Sequence, residues 1–447
     1  MAQFNSANGS LQGHNKTLFE VNQLATTNGL LVSEYNPYPV QLGAAQSDSF
    51  GRLRTSQPFT LGDYKHIYGI DPNFVNKLTG SGAITYYNSQ ACARLSTTSN
   101  SIDSVVHQTK FYHHYMPGKS QLIKSTFNFY AAVANVTKRT GYFDNNNGIF
   151  FEQAGDGTLS FCIRSSVSGS PSDSRKVSSA NWNIDKCDGT GASKFNLDIT
   201  KTQIFFIDFQ WLGVGRVRCG FVHDGDTIIA HEFYTSNLFP TVYMSNPNLP
   251  VRCEIRNTGV TTGSYMDQIC STVISEGGYV ESGQDWSVTS PSLRTLTTGS
   301  SLPILAIRLK NAFNTYANRM TVRAGNLNVL STGENIKYRL IKLPNDAALT
   351  GGSWADVSTG SSGVEYNATA TAWTGGDEID NGFVTAATQG GRHTGGAPAS
   401  HQPSSAKKNY IVQNFDSSDS EIYIVAATNI GTASTNIGVG FQWREIY

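Results

Sequence analysis

Apolar and polar residues alternate along several short stretches of this sequence, and this two-residue period restricts the fold more than any other feature. The pattern is clear in 158–164 (TLSFCIR), 203–211 (QIFFIDFQW) and 251–256 (VRCEIR). Successive side chains of a strand point to opposite faces, so each stretch predicts a strand with one face in a core. Further strands are predicted at 122–134, 216–222, 227–233, 303–309, 320–324, 335–342, 421–426 and 437–443.

One hairpin is readable directly. His223-Asp224-Gly225-Asp226 separates two predicted strands, and Asp-Gly supplies the positive φ angles of a tight turn. No amphipathic helical period extends beyond about 12 residues. Short strands separated by Gly, Asn, Ser and Pro predict an all-β protein of jelly-roll or lectin-like β-sandwich type.

Composition shifts divide the chain. Residues 1–57 are polar with few strand patterns, which predicts an extended N-terminal arm that anchors the chain. A jelly-roll or lectin-like β-sandwich is predicted for 58–285 and a second, smaller β-sandwich for 292–447. The Ser/Thr/Gly-rich segment 282–301 is interpreted as a linker between them. Residues 350–374 are turn-rich, and residues 390–408 form a long polar loop of the kind that partners often hold.

The charge balance excludes several classes of function. Lys plus Arg and Asp plus Glu number 33 each, and charged residues make up 15% of the chain against a usual share of about 25%. A nucleic-acid binder needs an excess of cations, so no nucleic-acid partner is expected. The N-terminus lacks the basic and apolar regions of a secretory signal, and no run reaches 18 apolar residues. We therefore expect synthesis in a cytosol and no membrane insertion.

The six cysteines are widely spaced and include no C-x-x-C pair, so they do not suggest zinc or redox chemistry. Cys162, Cys219 and Cys253 lie inside alternating strand patterns. We interpret the cysteines as small buried side chains, with one or two disulfides as the alternative.

Candidate ligand motifs are weak. Pro117-Gly118-Lys119-Ser120 ends like a phosphate-binding loop, but His113 stands where the first glycine is needed. Asp144-Asn145-Asn146-Asn147-Gly148 resembles part of a calcium loop without the required ligand spacing, so we interpret it as a turn. Adventitious calcium binding near Asp144 and Asp156 stays open.

Candidate catalytic residues are equally sparse. His113 and His114 are adjacent and would point to opposite faces of a strand, whereas His223 and His231 flank the hairpin and would face each other across it. Asp208 lies within an apolar strand, either on the outward sheet face or as a wall carboxylate of a saccharide groove. Glu152 and Glu254 show no distinctive spacing. The tryptophans are interpreted mainly as core or interface anchors, with sugar stacking as the alternative; they are Trp182, Trp211, Trp286, Trp354, Trp373 and Trp443.

Several ordered motifs resemble the virion structural proteins of tailed bacteriophages, particularly marine ones. The resemblance is strongest over 48–281 and weaker up to Trp443. It begins with Asp48-Ser49-Phe50-Gly51-Arg52-Leu53-Arg54-Thr55-Ser56 and Pro58-Phe59-Thr60-Leu61. It continues through 117–120 (PGKS), 139–143 (RTGYF), 181–185 (NWNID), 188–191 (DGTG), 210–215 (QWLGVG), 254–259 (EIRNTG), 269–279 (ICSTVISEGGY) and 303–309 (PILAIRL).

The resemblance implies a non-enzymatic particle component without catalytic residues. The motif spacings separately predict no metal-binding or cofactor-binding residues. The expected location is the virion surface after assembly in the host cytoplasm, as an outer tail or fibre-base component or a head decoration. Expected partners are other virion proteins, held through residues 1–57, and further copies of the chain, with a homotrimer favoured because symmetric closure buries sheet edges. The alternative is a carbohydrate-binding adhesin for host attachment, and a glycan-cleaving enzyme is the third hypothesis.

Overall fold

The computed structural model describes residues 56–385 and 410–447, together with two short strands near the N-terminus. These strands, β1 (Gln3–Asn5) and β2 (Ser10–Gln12), form an antiparallel pair within the unit Met1–Gln57. Otherwise the predicted arm up to residue 55 and the predicted loop 390–408 lie outside the described residues. Residues Pro58–Tyr447 form one compact unit.

The first half of this compact unit is built from fifteen strands. They are β3 (Phe59–Lys65), β4 (Phe74–Thr79), β5 (Ala83–Tyr87), β6 (Cys92–Thr97), β7 (Ser104–Thr109), β8 (Gln121–Asn128), β9 (Val136–Phe143), β10 (Gly148–Gln153), β11 (Leu159–Ser165), β12 (Ser172–Ser178), β13 (Gln203–Phe209), β14 (Arg216–His223), β15 (Asp226–Tyr234), β16 (Val251–Asn257) and β17 (Ser264–Ser275).

These strands form two antiparallel sheets. The seven-stranded sheet has the order β12-β11-β10-β9-β16-β7-β4, and the eight-stranded sheet has the order β15-β14-β13-β8-β17-β6-β5 with β3 also paired to β17. Aromatic side chains interlock between them: the Phe151 ring centre lies 5.6 Å from that of Phe205 and 5.9 Å from that of Phe127. The shared core shows that this half is a β-sandwich, as the alternation predicted.

The second half contains fifteen further strands. They are β18 (Gln284–Thr289), β19 (Arg294–Leu296), β20 (Ser301–Leu309), β21 (Ala312–Phe313), β22 (Tyr316–Ala317), β23 (Thr321–Ser331), β24 (Ile336–Leu343), β25 (Leu349–Thr350), β26 (Ala355–Asp356), β27 (Val364–Asn367), β28 (Ala372–Trp373), β29 (Asp377–Val384), β30 (Tyr410–Ile411), β31 (Ile422–Asn429) and β32 (Thr435–Ile446).

The five-stranded sheet (β18-β32-β23-β30, with β19 beside β32) packs on the six-stranded sheet (β26-β27-β20-β31-β24-β29). Tyr423 and Phe441 contact each other across the core, with ring centres 6.1 Å apart. The fold class is therefore all-β, with sheets packed as sandwiches. The first pair of sheets lies within 59–275 and the second within 284–446; the exact domain boundaries stay predictions.

The interpretation of residues 282–301 as a linker is wrong. β18 and β19 both pair with β32, and Trp286 and Val288 pack against the second core. A high Ser/Thr content suggested a loop, but Thr and alternating apolar residues suit a half-buried strand equally well. Residues 350–374 contain only strands of two to four residues, in keeping with their turn-rich sequence.

The predicted hairpin is confirmed. β14 and β15 pair with His223 opposite Asp226, and Asp224 and Gly225 have φ angles of 49° and 93°. All six cysteines are free, and five of them are buried, so the disulfide alternative is wrong. In the part of the chain described, the helical segments are three short 3₁₀ turns, and none has the length and apolarity of a membrane span.

Candidate functional site

The outer face of the seven-stranded sheet carries a lattice of charged side chains. Arg139 on β9 lies directly opposite Glu152 on β10 and opposite Glu254 on β16. Its Nε donates to Glu152 Oε2 over 2.7 Å, and its Nη1 donates to Glu254 Oε1 over 3.3 Å. The central arginine therefore joins two carboxylates that sequence spacing did not single out.

Neighbouring cations complete the lattice. Arg252 Nη2 donates to the other Glu254 oxygen over 2.6 Å, and Lys176 pairs with Glu152. On the next strand pair, Arg164 binds both oxygens of Asp173 over 2.8 and 2.9 Å. These ion pairs are satisfied from within the protein, and they lie over the buried rings of Phe143 and Phe150.

This arrangement is unsuited to glycoside hydrolysis. Burial raises the pKa of Glu254, but the charges of Arg252, Arg139 and Arg164 lower it by a larger amount. The pKa of Glu254 therefore lies below its usual range. A general acid needs a raised pKa and an open neighbouring carboxylate. With Arg139 between Glu152 and Glu254, the lattice holds the sheet together.

Two other motifs singled out in the sequence, 117–120 and 144–148, form hydrogen bonds within the protein. Lys119 Nζ donates to Gly278 O over 3.2 Å, and Ser120 Oγ binds Glu276. Asp144 Oδ1 accepts the backbone N–H groups of Asn146 and Asn147, both over 2.8 Å, which is the geometry of a turn. Within residues 56–385 and 410–447, no three His, Cys, Asp or Glu side chains are placed to hold a metal ion.

The histidines do not form the arrangement expected across the hairpin. His223 lies opposite Asp226 and His231 opposite Cys219, because the short turn sets the register. His231 Nδ1 instead accepts the N–H of Asn183 over 3.3 Å. Asp208 pairs with Arg218 on the next strand, on the outward sheet face.

The tryptophans mostly pack in or beside the cores. Trp182 stacks on Phe161 with ring centres 4.3 Å apart, and Trp443 is buried in the second core. Trp211, Trp286, Trp354 and Trp373 are partly buried and pack against the cores.

An exposed group of aromatic side chains lies on the outer face of the eight-stranded sheet. We call it the tyrosine platform, and it consists of Tyr87, Arg94, Tyr130, Tyr265 and Asp267. The Arg94 guanidinium on β6 lies 4.2 Å from the Tyr87 ring centre and 4.5 Å from the Tyr265 ring centre. Tyr87 comes from β5 and Tyr265 from β17, the strands on either side of β6. The two tyrosines are 38% and 41% exposed.

The arginine of the platform is fixed and neutralised. Its Nε and Nη2 donate to the two oxygens of Asp267 over 2.7 and 2.8 Å, and Nη2 also reaches the Tyr130 hydroxyl over 3.0 Å. The Tyr130 hydroxyl in turn donates to Asp267 Oδ2 over 2.6 Å. Bidentate contacts of this kind hold the guanidinium plane in one orientation.

The backbone below Tyr130 is held from inside the sandwich. Tyr130 has a φ of 58°, a conformation that costs a bulky residue energy. Three consecutive carbonyls accept buried side-chain donors: Lys138 Nζ binds Phe129 O and Ala131 O, and Gln153 Nε2 binds Tyr130 O over 3.0 Å. The platform is therefore preorganised.

Sequence reasoning missed the platform. Arg94 and Asp267 are 173 positions apart, and nothing in either local pattern links them. The available signal was weak: Tyr86-Tyr87 and Tyr265 place aromatic side chains at polar strand positions.

Comparisons with known proteins find only weak similarities. No family model and no curated protein matches the sequence. A protein of unknown function from Shewanella oneidensis MR-1 is 11% identical, with coverage of 55% of this chain and 100% of that chain and a TM-score of 0.32. The CBM2 module of the evolved Dit from Lactobacillus casei BL23 phage J-1 is 9% identical (51% and 100% coverage, TM-score 0.33). Peanut lectin is 9% identical (49% and 98% coverage, TM-score 0.30). Similarities this weak place no constraint on function.

Proposed function

We propose that this protein is a non-enzymatic structural component of a tailed-phage virion, exposed on the particle surface. The supporting observation is that the residues resembling virion proteins coincide with one structural unit of the fold. The motifs that resemble virion proteins span 48–281, and the strands of one complete β-sandwich lie within 59–275. The resemblance thus follows a complete pair of packed sheets.

The charge lattice supports the non-enzymatic part of the proposal. Its carboxylates are engaged by arginine and lysine side chains, so neither Glu152 nor Glu254 is available as an acid or a nucleophile. Charged pairs within the sheet add rigidity, which suits a particle exposed to the environment.

The test is incorporation into particles. A chain lacking residues 1–57 is expected to fold but to be missing from purified virions, whereas the full chain is present and visible on the surface by antibody labelling and electron microscopy. Normal incorporation of the shortened chain contradicts anchoring by the arm, and absence of the full chain from virions contradicts the proposal itself. Because the chain has no net charge, its retention should change little with moderate salt.

Carbohydrate binding for host attachment is the second candidate function. The observation in its favour is the tyrosine platform, because exposed aromatic rings beside fixed polar groups can stack on sugars and hydrogen-bond their hydroxyls. A glycan array probed with the full chain tests it, and no signal at high protein concentration would argue against it.

A further inference from the structure

We propose that the tyrosine platform is a subsite for a neutral pyranose unit of a surface glycan. This proposal rests on the carbohydrate-binding candidate above and adds the location and chemical class of the ligand. The platform combines exposed rings, unused polar groups, a neutralised local charge and a preorganised backbone.

The apolar contact comes from Tyr87 and Tyr265. Both rings flank the Arg94 guanidinium and are more than one-third exposed. The C–H face of a pyranose is apolar and matches an aromatic ring in size, so it can cover such a ring while its hydroxyls stay at the edge. A sugar bound on the Tyr87 or Tyr265 ring would add a layer to the stack of these rings with the Arg94 guanidinium.

Polar groups at the platform remain available to a ligand. Among the described residues, the hydroxyls of Tyr87 and Tyr265 and the Nη1 of Arg94 have no hydrogen-bond partner, whereas Nε and Nη2 of Arg94 are engaged. Together they provide two groups that donate and accept and one that only donates. This mixture suits sugar hydroxyls, which also donate and accept.

The local charge selects the class of glycan. Arg94 is neutralised by a bidentate contact with Asp267, whose side chain is only 4% exposed. The platform therefore offers no net positive charge to a uronate or sulfate group. A neutral glycan avoids the cost of removing an anion from water without a counter-charge.

Preorganisation favours binding over mere packing. Tyr130 has a positive φ, and its carbonyl and both neighbouring carbonyls accept hydrogen bonds from the buried Lys138 and Gln153 side chains. A simple surface turn does not need this much support. Fixing the rings and the guanidinium before the ligand arrives reduces the entropy lost on binding.

The experiment measures binding of the full chain to neutral glucans, galactans and mannans, with alginate and pectate as acidic glycans, at low and moderate salt. The variants are Tyr87→Ala and Tyr265→Ala, with Tyr316→Ala as control because Tyr316 is 77% exposed in the second sandwich. Circular dichroism and thermal unfolding check that each variant folds. Tyr87→Phe and Tyr265→Phe keep the rings and remove only the hydroxyls.

We expect a neutral glycan to bind the unaltered chain with little salt dependence. The alanine variants should weaken binding at least about tenfold, and the phenylalanine variants should weaken it less. Tyr316→Ala should leave binding unchanged. Binding that survives both alanine changes would overturn the platform assignment and leave carbohydrate binding in place. Binding restricted to acidic glycans with steep salt dependence would overturn the neutral class. If the unaltered chain binds no glycan, the result contradicts both the platform as a binding site and carbohydrate binding as a function.

Discussion

The Arg252 guanidinium of the first sandwich lies 5.5 Å from the ring centre of Phe415 in the second sandwich. The Lys77 ammonium lies 5.0 Å from the same ring. Arg319 anchors the segment that carries this ring by donating to Asn414 O over 2.8 Å and to Phe415 O over 2.7 Å. One aromatic ring from the second sandwich thus contacts two cations of the first.

Replacing that ring should loosen the coupling between the sandwiches. We expect Phe415→Ala to lower the free energy of unfolding by about 1–2 kcal/mol, since two cation–π contacts and their buried area are lost. Calorimetry should show a broader transition or two transitions. Phe383→Ala is the control because Phe383 is 68% exposed, and equal effects of the two changes would contradict the role given to Phe415.

Removing the central arginine of the charge lattice should be far more damaging than removing an exposed one. Arg139→Ala leaves Glu152 and Glu254 without a shared partner, and breaking a buried ion pair from one side costs about 3–5 kcal/mol. Denaturant unfolding measures the change. Arg256→Ala on the same sheet face is the matched control, because Arg256 is exposed and has no ion pair among the described residues. A loss below about 1 kcal/mol for Arg139→Ala would be inconsistent with a structural lattice.

Buried histidines should make the fold sensitive to acid. Burial lowers the pKa of His114 to about 4, and both of its ring nitrogens lack a hydrogen-bond partner among the described residues. Burial also lowers the pKa of His66, whose Nδ1 accepts the Asp71 N–H over 3.0 Å and so must be unprotonated. The unfolded chain binds protons near pH 6.5, before the folded chain does.

The lowered pKa values of these histidines make the fold less stable in acid. Stability is full above about pH 6.5 and falls as the pH drops towards 4, with His114 alone contributing on the order of 3 kcal/mol over that range. Thermal unfolding from pH 7.5 to 4 measures the slope. His114→Leu should flatten the slope, while His223→Leu should not, because the His223 side chain is 53% exposed. An unchanged slope in His114→Leu would contradict the assignment.

The buried lysine below the platform should hold the Tyr130 turn in place. Burial lowers the pKa of Lys138 to about 8, and its ammonium donates to Phe129 O and Ala131 O. Lys138→Met removes the donor to the carbonyls of Phe129 and Ala131, so we expect about 2 kcal/mol lower stability and faster amide exchange near the turn. Lys186→Met at an exposed position is the control. Unaltered amide exchange in Lys138→Met would show that the Tyr130 turn is stable without the lysine.

Much of the fold was predictable because its information is local. The alternation in 203–211 predicted β13 (Gln203–Phe209), and Asp224-Gly225 predicted the hairpin between β14 and β15. The prediction failed at 282–301, where Ser and Thr are compatible with both loops and strands and only pairing with β32 decides between them.

The sequence by itself determined the all-β class, the positions of the strands with clear alternation and the low charge, because these depend on side-chain period and composition. Only the tertiary structure decided which distant residues meet. Sheet pairing brings Arg94 beside Asp267 and places Arg139 between Glu152 and Glu254. The physical reason is that, beyond a tight hairpin such as β14–β15, strand order and register are set by packing of whole sheets around a shared core, and local patterns do not encode which distant strands become neighbours.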